Sequence, residues 1–202
     1  RRDWSSDVCS SDLLCPIALG SDGGGSVRIP AAHCGIFGFK ASMGRVPLWP
    51  GCRDERYPGV SSWESLEHIG PMTRSVRDAA LMMSLMAGPD MRDRHSIPCS
   101  DVDWLGAHRQ PASKLRIAFS SDLGYVAVDP EVRAVVSAAV QRFAAETGAE
   151  LELADTGFSD PAAAFGALVA MESDLTGMRQ MMAEQGSAMS PHLIAMLQRE
   201  WR

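Results

Sequence analysis

The chain has 202 residues, 46% of them hydrophobic, and a formal net charge of −6. That is apolar material for one sizeable core, and the charge argues against a surface that coats nucleic acid, as does the lack of any basic run interleaved with aromatics. No apolar stretch reaches the roughly eighteen residues needed to span a bilayer, and no basic start followed by an apolar middle marks a signal peptide.

Cys9, Cys15, Cys34, Cys52 and Cys99 are odd in number and widely spaced, which fits reduced thiols in a cytoplasmic protein better than a disulfide framework. With no C-x-x-C or H-x-x-x-H pair, no metal site and no cofactor are expected.

Residues 1–13 have neither helical nor strand periodicity. They back-translate without conflict into a DNA string that resembles a common short-read sequencing adapter, so this segment is expected to be a non-native, disordered tail ahead of a partial domain over residues 14–202. The apolar run Leu13 to Leu19 then predicts a buried strand. It feeds a glycine-rich turn, Gly20-Ser21-Asp22-Gly23-Gly24-Gly25, that ends on a single hydroxyl, Ser26. Glycines permit positive φ and bare backbone, so consecutive N–H groups can converge on one point beside that serine. This is the arrangement of an oxyanion hole next to a nucleophile.

Other readings of the turn fit less well. A phosphate-binding loop needs Gly-Lys-Ser/Thr where Gly25-Ser26-Val27 stands, and the dinucleotide fingerprint G-x-G-x-x-G also fails. The elbow G-x-S-x-G fails at its last position, occupied by Arg28. A plain glycine turn remains open on the turn alone. His33, seven residues beyond Ser26, is expected to be a satisfied, partly buried histidine, since no acid of known position orients its ring.

Gly35 and Gly38 bracket Ile36-Phe37 in a way that suggests close backbone approach in a core. Residues 48–68, with Trp49, Tyr57 and Trp63, read as a loop bordering a substrate pocket. Thr73 or Ser75 caps a helix from Val76 to Met86 that stops at Gly88-Pro89. Leu115–Phe119 is a strand; Asp129-Pro130 opens a helix with a buried stripe of Val132, Val135, Val136, Ala139, Val140 and Phe143; Gly148 ends it; Ala149–Leu153 is the next strand. This βαβ succession predicts parallel pairing. Helical segments follow at 161–174, 175–186 and 191–202, the last without a stop signal, so the gene is expected to be cut there.

The turn and its surroundings resemble the amidase signature family. Its pattern small-x-small-x-acid-x-small-x-Ser-aliphatic-Arg-x-Pro-small is met by Ala18, Gly20, Asp22, Gly24, Ser26, Val27, Arg28, Pro30 and Ala31. The likeness continues through Cys34–Lys40, Gly44-Arg45-Val46-Pro47, Gly70–Leu81 and Met86-Ala87-Gly88.

The resemblance implies an incomplete α/β fold with a mixed, mostly parallel sheet flanked by helices. It also implies a hydrolase that cleaves a carboxylic amide C–N bond through an acyl-serine intermediate, with a small-molecule amide as substrate. Carried over residue by residue, Ser26 is the nucleophile, the amides of Gly23, Gly24, Gly25 and Ser26 line the oxyanion hole, and Asp22 and Arg28 support the loop.

The family's triad adds a second serine in a cis peptide and an upstream lysine. Counting back from Ser26 puts that serine near position 2, which is Arg2, and the chain's two lysines, Lys40 and Lys114, both follow Ser26. The chain is therefore expected to be a fragment inactive alone. Two alternatives stay open, the A subunit of a tRNA-dependent amidotransferase, which releases ammonia from glutamine for a partner subunit, and a non-catalytic interaction module; a homodimer of the parent protein is also left open.

Overall fold

The structure, a computed structural model, describes residues 15–48, 65–98, 102–112 and 114–198. The 1–13 tail, Trp49, Tyr57, Trp63, Cys52, Cys99 and the end of the last expected helix lie outside the described residues.

The chain divides into two compact units, Arg1–His108 with Leu168–Arg202, and Arg109–Ala167. In the first, β1 (Ile17–Asp22) and β2 (Phe37–Gly38) flank β3 (His68–Thr73) in a three-stranded antiparallel sheet. Ile17 pairs with Thr73 and Asp22 with His68 across β1 and β3, and Phe37 pairs with Thr73 from the other side.

Pro71 sits inside the central strand, where a proline normally breaks the ladder. Its carbonyl accepts from Phe39 N at 3.0 Å, which places its missing donor on the same side, towards the two-residue β2, and leaves the β1 ladder intact. Gly70, beside it, is required by close approach: a Cβ there would run into the Phe39 carbonyl oxygen.

Helix α1 (Arg28–Cys34) ends on Gly35, which at φ 66 adopts the left-handed cap. Helix α2 (Val76–Met86) has the bounds expected from its periodicity, and of the two candidate caps it is Ser75 that serves. The Ser75 Oγ accepts from Asp78 N at 3.1 Å and donates to the Asp78 carboxylate at 2.7 Å, satisfying one of the orphan donors of the first turn. Ala79, Ala80 and Met83 turn inward and form the core of this unit with Met72, Val27 and Ala31. Helix α3 (Trp104–Ala107) brings Trp104 edge-on to Phe39, which stacks on Phe37.

The second unit is the expected βαβ: β4 (Arg116–Phe119), α4 (Pro130–Thr147) and β5 (Glu150–Leu153), with β4 and β5 parallel in register from Arg116↔Glu150 to Phe119↔Leu153. Asp129 caps α4 through Glu131 N and Val132 N, Pro130 opens it, and Gly148 at φ 68 closes it. Helices α5 (Ala162–Glu172), α6 (Leu175–Gln185) and α7 (Pro191–Leu197) complete the described chain, with a 3-10 turn at Gly186–Ala188.

The mixed α/β class is as expected. Parallel pairing, expected for most of the sheet, is found here between β4 and β5, while the first sheet pairs antiparallel. Two burial expectations are corrected. The first strand lies later than the apolar run, and its Ile17 and Leu19 are exposed, because alternate residues of β1 face opposite sides of the sheet and these two lie on the uncovered side. Val132, Val135, Val136 and Phe143 of α4, expected to form a buried stripe, are exposed, since α4 has only a two-stranded sheet to cover within its unit.

Candidate active site

Strand β1 delivers the chain to Asp22, and α1 takes it away from Arg28; the bend between them carries Ser26. The carboxylate of Asp22 is 1% exposed and occupies the inside of the bend. Its Oδ1 accepts from Gly25 N at 2.6 Å and Arg28 Nη2 at 2.9 Å; its Oδ2 accepts from Arg28 Nε at 2.8 Å and Val27 N at 3.3 Å. One side chain thus ties the backbone of the bend to the first residue of α1 and closes the loop onto its own helix. The hydrogen bonds from Arg28 hold the Asp22 carboxyl far below its ordinary value, outweighing the opposing effect of burial, and the Gly25 amide adds to them. Arg28 is raised in turn by Asp22.

The bend rests on a close-packed floor. A Cβ on Gly20 would meet Met72 Cε at 2.6 Å, and one on Gly38 would meet Ala31 Cβ at 2.6 Å and the Val27 carbonyl oxygen at 2.8 Å. Gly25 takes φ 117, a conformation open to glycine and strained for other residues. Val27, which follows Ser26, is fully buried and anchors the bend from below.

Ser26 itself is exposed, as is Gly24, while Gly23 is half-buried and Gly25 buried. Among the described residues no side chain hydrogen-bonds to the Ser26 hydroxyl. The structure therefore brings Asp22, Gly25, Val27 and Arg28 into one hydrogen-bonded unit around an outward-facing Ser26. It also distinguishes Gly25 from its neighbours, since the Gly25 amide is turned to the Asp22 carboxylate.

His33 lies in the last turn of α1 and is exposed, not partly buried as expected. Lys40 donates to the Ala41 carbonyl at 3.2 Å. Among the described residues no group of three or more His, Cys, Asp or Glu is placed to hold a metal ion, and no helix is long and apolar enough to cross a membrane. Sequence reasoning did not single out Met72 or Ile29. Met72 had no signal of its own, whereas Ile29 fills a place that the signature leaves free.

The sequence model of the Amidase family matches residues 11–199. The chain belongs to the amidase family. An acylamidase of Rhodococcus erythropolis is 39% identical over 148 residues, 73% of this chain and 29% of that protein. The A-type component of the glutamyl-tRNA(Gln) amidotransferase of Staphylococcus saprophyticus is also 39% identical, over 150 residues, again 73% of this chain and 29% of the relative. The crystal structure of a bacterial aryl acylamidase of the amidase signature family superposes with a TM-score of 0.78 at 28% identity, covering 95% of this chain and 40% of that one. This amidase chain thus spans less than a third of the length of both curated relatives.

Proposed function

We propose that Ser26 is the nucleophile of an amide-cleaving hydrolase. The observation that carries this reading is the exposed Ser26 on a bend fixed by four hydrogen bonds to the buried Asp22 carboxylate. A nucleophile needs access to substrate together with a backbone that does not reorganise as charge develops, and such a bend offers both.

The Ser26 Oγ attacks the amide carbonyl carbon, its proton passing to a base. The C–O bond forms, negative charge collects on the carbonyl oxygen, and backbone amides of Gly23, Gly24 and Ser26 receive it. Gly25 is left out of this donor set because its amide is engaged by Asp22; its part is the left-handed turn that presents Ser26. The tetrahedral adduct then breaks its C–N bond, the amine leaves with a proton, and water releases the acid from the acyl-serine. Losing one oxyanion donor typically costs roughly 10²–10³ in turnover.

Activation of Ser26 is assigned to a lysine and a second serine outside these 202 residues, since Lys40 and Lys114 both follow the nucleophile and Lys40 is bonded to its own neighbour's carbonyl. The substrate is a small-molecule amide. Hydrolysis of p-nitroanilides by the full-length gene product tests the reading: Ser26→Ala is expected to abolish it, and turnover surviving that change would refute it.

The 39% identity to the amidotransferase component supports a second reading, in which the same serine releases ammonia from glutamine for a partner protein. Glutaminase activity that appears only with the partner proteins, and no anilide hydrolysis, would select it.

A further inference from the structure

Resting on the assignment of Ser26 as nucleophile, we infer that Ile29 is the residue that selects the acyl group, favouring amides whose acyl part is apolar. Ile29 N donates to the Gly25 carbonyl at 2.7 Å, closing residues 25–29 into one helical turn that contains Ser26. Side chains three apart on such a turn are neighbours, about 5–6 Å between Cβ atoms, which puts Ile29 on the same face of the turn as Ser26.

The other residues of the turn are committed elsewhere. Val27 is fully buried beneath the bend, and the Arg28 guanidinium is bonded to Asp22. Ile29 is 56% exposed, and its side chain lies over Gly25, where a Cβ would come within 2.9 Å of Ile29 Cγ1. The backbone of Gly25 leaves room for this, so the isoleucine forms a wall that starts one residue before the nucleophile. An isolated exposed aliphatic side chain needs no explanation. This one shares its turn with Ser26, where the other exposed long side chain, Arg28, is tied to Asp22.

The acyl group is the part of the substrate that stays joined to Ser26, and so near this wall, in both steps of the reaction. The amine departs when the C–N bond breaks, whereas the acyl carbon stays joined to Ser26 Oγ until water attacks. An alkyl or aryl acyl group lying on Ile29 loses apolar surface to the protein in the acylation and deacylation transition states alike. A methylene in a closed hydrophobic pocket discriminates by roughly 10–200-fold; a half-open wall is expected at the lower end of that range.

The test is the ratio of kcat/KM for butyryl-p-nitroanilide to that for acetyl-p-nitroanilide, measured in the full-length enzyme and in Ile29→Ser, Ile29→Phe and Ile29→Leu. The expected result is a ratio about tenfold lower in Ile29→Ser, higher in Ile29→Phe, and restored in Ile29→Leu. A ratio that stays within about twofold of the wild type in both Ile29→Ser and Ile29→Phe overturns the inference while leaving the serine assignment standing. Hydrolysis that survives Ser26→Ala removes the serine hydrolase reading and this inference with it, and a wild-type enzyme that cleaves neither anilide overturns the preference for apolar acyl groups.

Discussion

Asp22 and Arg28 meet in a two-pronged ion pair, Oδ2 to Nε at 2.8 Å and Oδ1 to Nη2 at 2.9 Å, and both Asp22 oxygens also accept backbone amides of the bend between them. The pair is asymmetric: the aspartate side chain is fully buried and the arginine side chain half exposed. Arg28 is thus the outer half of a clasp whose inner half is the buried Asp22 carboxylate. Replacing Asp22 by Ala removes the acceptor for two backbone donors as well as the ion pair. The expected cost is about 1.5–3 kcal/mol, the range for hydrogen bonds to a charged group, read from urea unfolding. A loss below about 0.5 kcal/mol would contradict the assigned role.

The direction of the Asp22 shift fixes the pH window. Its folded value lies below its unfolded one, so the clasp's contribution is fully present above the ordinary carboxylate value, near 3.9, and is lost only as pH falls through the depressed folded value. The Gly25 amide resonance is expected to stay put from pH 8 to about pH 4 and to move only in stronger acid. A titration midpoint close to 4 in that resonance would show that Arg28 does not hold the carboxylate ionised.

Gly38 and Gly70 each sit where neighbouring atoms leave no space for a side chain. Gly38→Ala would press a methyl group onto Ala31 and the Val27 carbonyl, and Gly70→Ala would press one onto the Phe39 carbonyl. Each is expected to destabilise by about 1–3 kcal/mol in chemical denaturation, the usual cost of overpacking. Gly35, with nothing within 4 Å of its Cβ position, has room for a side chain, so its substitution by Asn, which tolerates the left-handed region, is expected to be mild.

Burial ranks the helices as targets. Met83 of α2 is 1% exposed, so Met83→Ala is expected to cost about 2–5 kcal/mol in this chain. Val135 of α4 is 64% exposed, so Val135→Ala is expected to stay within about 0.5 kcal/mol. Denaturation midpoints of the two variants decide the point, and a comparable loss in both would mean that α4 is covered.

What the sequence made legible was mostly local chemistry. The Ser75 cap, the Asp129-Pro130 start and the left-handed Gly148 stop each leave a signature within a few residues, and the structure places α2 and α4 accordingly. The bend was legible from its glycine run, whereas the supporting roles of Asp22 and Arg28 followed from the family resemblance, and the two bond directly. Tertiary context was not. The same valines that mark a helical stripe say nothing of whether another layer covers them, and in α4 they are exposed. The glycine run could not reveal that the Gly25 amide is taken by Asp22, because that depends on which way one carboxylate turns. Nor could β1 be located from its apolar run, since its pairing with β3 runs on through the polar pair Ser21-Asp22.

Covalent capture is the decisive test of Ser26, on its Asp22-held bend, as the reacting nucleophile. The full-length enzyme is treated with an aryl fluorophosphonate, which transfers its phosphonyl group to an activated serine with loss of fluoride, and the adduct is located by peptide mass spectrometry. One adduct is expected, on Ser26, and none in Ser26→Ala. An adduct on a different serine with Ser26 unmodified would overturn the assignment.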